Sequence, residues 1–194
     1  MSHDIFTETV SDRNQLSVPP SEQDHLQGSL NAKVVLVEYG DYQCPQCGKL
    51  HALVQTIQNH LNAAGSKQNN LCYIFRHFPQ PQIHPYAQKA AAAAEAAAAQ
   101  EQFWQMHKVL LQHQLALSDG HLAEYAHNLG LDVTQFVRDI VRKVYADSIS
   151  RDVTSGRHSG VISTPALFIN GVRYRNALEL EPLLAAIAKS NNSL

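Results

Sequence analysis

Residues 34–49 read Val34-Val35-Leu36-Val37-Glu38-Tyr39-Gly40-Asp41-Tyr42-Gln43-Cys44-Pro45-Gln46-Cys47-Gly48-Lys49, and an amphipathic stretch continues to Leu61. An apolar β-branched run that feeds an amphipathic segment is a strand followed by a helix, and the two cysteines sit at the junction. With Cys44 as N-cap and Pro45 as first helical residue, proline's fixed φ and missing N–H cost nothing. The Cys44 sulfur then faces the amides of Gln46 and Cys47, and the helix dipole favours negative charge there. Both effects lower the thiol pKa, so Cys44 is expected to be the attacking sulfur and Cys47, one turn further in, the resolving one. Residues three apart on a helix are neighbours, close enough for a disulfide to close.

The chain has 194 residues, enough for one domain carrying a sizeable insertion and a real core. Its formal charge is −2 with both signs interspersed, which points away from nucleic acid and from anionic membranes. Of three cysteines, two belong to the one tight motif, and this reads as redox chemistry or metal binding rather than a stapled scaffold. Zinc usually takes four ligands; a second paired motif is missing, and His51, Cys72 and His77 are the only further candidates, so no metal and no cofactor is expected. The first thirty residues are polar and acidic with no apolar core of signal-peptide length, so a cytoplasmic location is expected. The alanine-rich stretch 90–99 is too short and too weakly apolar to span a bilayer, and no membrane partner is expected.

Residues 1–30 form a polar arm whose first twenty are expected to be loose or to wrap the domain. Residues 31–83 hold a strand over 33–39, a helix over 44–64 and a second strand over 71–75, joined by a right-handed crossover. Residues 84–160 are helical, with helices expected over 85–113, 118–129 and 133–155; the alanines suit close helix packing, with Phe103, Trp104, Met106 and His107 in the same core. Residues 161–194 return to a hairpin across Asn170-Gly171 and a last helix over 179–189.

A β-α-β half, a helical insertion and a β-β-α half describe an α/β thioredoxin fold with an inserted helical subdomain. The chain resembles the DsbA-like thiol–disulfide oxidoreductases of the thioredoxin superfamily at residues 37–47, at Phe75-Arg76-His77-Phe78-Pro79, Phe103-Trp104-Gln105-Met106-His107 and Ser159-Gly160-Val161, and at Thr164-Pro165 and Phe168-Ile169-Asn170-Gly171. Cys-x-x-Cys near a βαβ pattern is a general signal of a thioredoxin-like redox site, known from thioredoxin and DsbA themselves.

The resemblance implies that Pro165 is cis and lies against the cysteine pair, with Thr164 touching the sulfurs and an extended substrate peptide pairing with the backbone there. It also implies an acid beneath the pair. Glu38 is therefore expected to accept or return, through water, the proton of Cys47; otherwise it pairs with Lys33 or Arg76 at a sheet edge. Cys72, where this family is expected to carry a cation, is read as a buried hydrophobe. Arg76, His77 and His84, together with Asp41, Tyr42 and Gln46, are candidates for the rim. Ser163 stands where the family usually has glycine, and Pro45-Gln46 matches neither the dipeptide of strong periplasmic oxidants nor that of thioredoxin.

The expected function is thiol–disulfide exchange with protein thiols or disulfides, recycled by a redox partner, and reductase or isomerase in direction if the compartment is reducing. The alternatives are a non-catalytic thioredoxin-fold binding module and a glutathione-dependent kappa-like transferase or isomerase, which usually has serine at the position of Cys44.

Overall fold

The computed structural model describes residues 14–63 and 71–191. A five-stranded sheet runs in the order β1-β3-β2-β4-β5, where β1 is His25–Gln27, β2 Val34–Gly40, β3 Leu71–His77, β4 Ala166–Ile169 and β5 Val172–Arg173. Strand β2 lies at the centre, parallel to β3 and antiparallel to β4, and joins β3 through helix α1, Pro45–Ala63. Strand β5 pairs antiparallel with β4. The hairpin between them turns on Asn170 and Gly171, both at positive φ (48° and 81°), as a two-residue type I′ turn requires.

Period-2 alternation divides the core between the two faces of the sheet. Leu36, Tyr73, Phe75 and Leu167 face α1, α7 (Leu180–Asn191) and the helical insertion. Val37, Cys72, Ile74 and Phe168 face the other way, toward Phe78 and Val161. Both cysteines of the pair belong to the first cluster, so Cys72 lies across the sheet from them.

The insertion contains five helices: α2 Ala87–Ala98, α3 Phe103–Gln112, α4 Asp119–Asn128, α5 Val133–Val141 and α6 Ala146–His158. Alanines at 87, 90, 91, 93, 94, 96 and 97 are buried, which allows close approach of the neighbouring helices. Phe103, Met106 and His107 are buried, and Trp104 packs beside them. The expected helices 85–113 and 133–155 are each broken in two. At the first break Glu101 has φ 62°, with Gln102 N–H bonded to Ala97 O and Glu101 N–H to Ala98 O. At the second, Lys143 has φ 55°, with Val144 N–H on Asp139 O and Lys143 N–H on Ile140 O. This is the Schellman pattern, which satisfies the last carbonyls of a helix, closed here by residues other than glycine.

Helix α5 is capped by Asp132, whose carboxylate accepts from Gln135 N–H at 2.9 Å. Asp132→Ala is expected to lower stability by about 1 kcal/mol, read as a shifted urea midpoint at unchanged slope.

Part of the stretch expected as a polar arm is built into the fold. Strand β1 pairs antiparallel with β3. Leu16 N–H donates to Gly171 O, and the Ser17 hydroxyl donates to Ser155 O. Arg76 anchors the segment through a two-point ion pair with Asp24 at 2.7 and 3.1 Å and bonds to Val18 O and Pro19 O. Residues 1–13 lie outside the described part.

Candidate active site

Strand β2 ends at Gly40 and the chain turns through Asp41–Gln43 into α1, placing Cys44 directly ahead of the first helical residue, Pro45. Cys44 O accepts from Cys47 N–H at 3.0 Å and Gly48 N–H at 3.3 Å. The amides of Gln46 and Cys47 also reach the Cys44 sulfur, as the capping geometry requires. The side-chain bond from Cys47 contributes most to stabilising the thiolate; burial opposes it, the Thr164 side chain and the two amides add to it, and the Cys44 pKa is brought down to about 5. When protonated, Cys44 Sγ donates to Thr164 O at 3.3 Å, a bond that the thiolate must give up.

Cys47 behaves oppositely. It is fully buried, and desolvation first, then its bond to Cys44 and the nearby charge of Glu38, push its pKa well above the ordinary thiol value. Asp41 N–H lies 3.4 Å from its sulfur. The two thiols thus differ strongly in acidity: one is ionised at neutral pH and the other is a buried acid in need of a base.

Glu38 lies on the same face of the sheet as the pair, fully buried. Its Oε2 accepts from the Tyr73 hydroxyl at 2.7 Å, and its Oε1 has no hydrogen-bond partner in the protein. Burial outweighs the Tyr73 bond, and with a contribution from Cys44 the carboxyl is pushed up to about 8. A β-carbon at Gly40 would stand 2.9 Å from Glu38 Oε1 and 2.3 Å from the Phe75 ring, so glycine is required for the carboxyl to lie against the backbone leading to Cys44. The sheet-edge pairing with Lys33 or Arg76 does not occur: β2 is central, and Arg76 is taken by Asp24.

The Thr164–Pro165 peptide is cis. Its loop is tied to the cysteine turn through residues that the sequence reading placed only at the rim, or did not single out. Asp41 is buried, and its carboxylate accepts from Gln43 N–H, Gln80 N–H and His84 Nδ1 at 2.8–2.9 Å. Gln80 in turn accepts from the Thr164 hydroxyl at 3.2 Å. Gln114, beyond the end of α3, donates to Tyr42 O at 3.0 Å and Cys44 O at 2.7 Å, and a β-carbon at Gly48 would meet its side chain at 2.6 Å. No spacing in the sequence marks Gln80 or Gln114, because both act through contacts that the inserted helices and turns create.

Several expected rim residues lie elsewhere. Tyr42 is buried, with its hydroxyl 3.1 Å from His107 Nδ1. Arg76 serves the anchor of the N-terminal segment, and His77 bonds Glu95. Gln46 is exposed. Cys72 is buried in the opposite face, where desolvation pushes it up to about 11, so it stays a neutral thiol. Beside Thr164 a groove of about 610 Å³ runs between the Phe78–Gln82 turn and α6, with Ile162 largely exposed on its edge.

A family profile described as thioredoxin matches residues 20–189. Among proteins of similar sequence, the Na(+)/H(+) antiporter NhaA 1 of Salinispora arenicola is 38% identical over 169 residues, covering 87% of this chain and 25% of the antiporter. The chain thus spans about a quarter of the length of such relatives. Among solved structures, oxidised BdbD from Bacillus subtilis superposes with a TM-score of 0.78 at 19% identity, over 93% of this chain and all of BdbD. The thiol–disulfide exchange protein alpha-DsbA2 from Wolbachia pipientis superposes with a TM-score of 0.70 at 25% identity, over 87% of each chain.

Proposed function

The chain belongs to the thioredoxin family, and from that premise we propose that it exchanges the Cys44–Cys47 dithiol or disulfide with protein substrates through a mixed disulfide on Cys44. It is a DsbA-like thiol–disulfide oxidoreductase. The observation that carries the reading is the split acidity of the pair: Cys44 is held as a thiolate by amides and a neighbouring thiol, and Cys47 is kept protonated by burial. Binding modules need no such contrast, and the serine that marks kappa-like transferases is absent, since position 44 is cysteine.

In the forward sense the Cys44 thiolate attacks one sulfur of a substrate disulfide; the S–S bond breaks, and the other substrate sulfur leaves as a thiolate. Cys47 then attacks Cys44 Sγ in the mixed disulfide, its proton passing to Glu38 through water, and the second substrate sulfur departs. Two electrons have moved from the protein to the substrate. Thr164 and Pro165 flank the attacked sulfur and hold the peptide beside it.

The direction we propose is isomerase or reductase in a reducing compartment, the cytoplasm. A thiolate as stable as Cys44 favours the dithiol, so isomerisation, which needs the dithiol and no net electrons, suits the site better than net reduction. Cys72, packed as a hydrophobe, is compatible with reducing surroundings. Ion transport is not carried over from the antiporter relatives, of which this chain spans about a quarter; among the described residues no helix is long and apolar enough to cross a membrane.

The test is trapping. Cys47→Ser incubated with scrambled ribonuclease should accumulate a mixed disulfide on Cys44 that dithiothreitol releases, and Cys44→Ser should accumulate none. An untrapped Cys47→Ser protein would defeat the reading. The potential of the couple against glutathione then separates isomerase from reductase.

A further inference from the structure

Away from the cysteine pair, His25 on β1, His77 at the end of β3 and Glu95 on α2 converge. Both imidazole Nε2 atoms lie 2.9 Å from the same carboxylate oxygen, Glu95 Oε1, and the three candidate ligand atoms all fall within 4.8 Å of one another. We propose that these residues form a binding site for a divalent first-row transition ion, with zinc the best match, which fastens β1 and the inserted helices to the sheet.

The charge balance favours a cation. Glu95 is buried, and its Oε1 faces the two imidazole nitrogens. Neither ion pair of that carboxylate involves a lysine or arginine. Asp152 stands nearby, its carboxylate accepting from His77 N–H at 2.9 Å, which makes the pocket more negative still. A divalent ion seated among these groups would compensate the carboxylates directly.

The donor set narrows the choice. Two imidazole nitrogens with one carboxylate oxygen suit zinc and its neighbours, whereas magnesium and calcium prefer oxygen cages. Metal–ligand bonds of about 2.0–2.1 Å put tetrahedral ligands roughly 3.3 Å apart, so the present 2.9 Å contacts need to open by only a few tenths of an ångström. His25 is pre-oriented by stacking on Phe103, with ring centroids 3.5 Å apart and planes 7° from parallel. Its side chain is 24% exposed, which leaves a path for the ion and for water as fourth ligand. An imidazole that ligates through Nε2 carries its proton on Nδ1, so the proton and the metal compete for Nε2 and affinity falls as pH falls.

The experiment uses the full chain with Cys44→Ser and Cys47→Ser, which removes the thiols that would otherwise compete for metal and makes the result independent of the exchange reading. Titration with zinc chloride after chelator treatment should show one equivalent bound. At about a hundredfold excess over its dissociation constant, zinc should raise the melting temperature by roughly 5–10 °C. Adding His25→Ala or, separately, Glu95→Gln should weaken binding at least about a hundredfold, with circular dichroism unchanged for one or both. Cobalt in place of zinc should give visible d–d bands without a near-ultraviolet thiolate-to-metal band. Failure to bind zinc, affinity that both variants leave unchanged, or a cobalt–thiolate band from Cys72 would each overturn the site and leave the triad a hydrogen-bond network only.

Discussion

Cys44→Ser should lower the catalysed reduction of insulin by at least about a thousandfold, to the rate of the buffer dithiol, because the attacking atom itself is removed. The accompanying signature is in the pH dependence of alkylation. With its pKa near 5, Cys44 is roughly nine-tenths ionised at pH 6, where an ordinary thiol is roughly 0.3% ionised. That is about 300-fold more thiolate, offset by an intrinsic nucleophilicity roughly 30–60-fold lower for a sulfur this much more acidic. Iodoacetamide should therefore modify Cys44 about five- to tenfold faster than glutathione at pH 6, its rate levelling off above pH 6 and being overtaken by glutathione near pH 7. A rate that keeps climbing to pH 9 would mean that the helix terminus does not hold the anion. The linkage has a definite sign: the folded pKa is depressed, so this thiolate's contribution to the stability of the reduced form is complete above the unfolded value of about 8.5 and is lost as pH falls toward 5.

Glu38→Gln should slow resolution of the mixed disulfide by about a hundredfold at pH 8, the lower end of what a placed base contributes. Cys47 can attack only once its proton has left, and the carboxylate form of Glu38 is the acceptor. Resolution by the natural chain should accordingly rise through a midpoint near pH 8, and that inflection should vanish in the variant. A second readout separates a proton role from a structural one. A carboxyl whose folded pKa is raised binds a proton in the fold that the unfolded chain has released, so its burial lowers stability progressively as pH climbs from about 4.3 toward 8. Glu38→Gln lacks this penalty, and its melting temperature relative to the natural chain should increase across that interval. Unchanged resolution kinetics with the stability difference present would leave Glu38 a buried acid without a catalytic part.

How much of this was legible in the chain depends on whether the signal was local. Helix α4 stops at Asn128 and α6 at His158, each followed two residues on by a glycine at positive φ, Gly130 and Gly160, a local signal that a sequence displays. Helices α2 and α5 end in the same hydrogen-bonding pattern, but the positive-φ residues there are Glu101 and Lys143, ordinary helix formers on which the alanine and valine periodicity runs straight through. Those breaks follow from packing, not from propensity. The same distinction separates Glu38, visible as a charge inside an apolar strand, from Gln80 and Gln114, whose roles arise only when a turn and a helix end meet the cysteine loop. Strand β1 was missed because a three-residue strand at a sheet edge has too few positions to show a period.

By itself the sequence determined the strand–helix junction, the order of the halves around the insertion and which sulfur can be an anion, since each follows from neighbours within a turn or two: proline opening a helix, two amides facing an N-cap, alternating apolar residues. Only the tertiary structure decided that Glu38 has one oxygen bonded and one without a partner, that Asp41 and Gln80 tie the cysteine turn to Thr164, that Cys72 is cut off from the pair by the sheet, and that His25, His77 and Glu95 meet. Those arrangements join residues tens of positions apart, and their energetics come from desolvation and charge in a packed interior, which do not exist until the chain has closed around them.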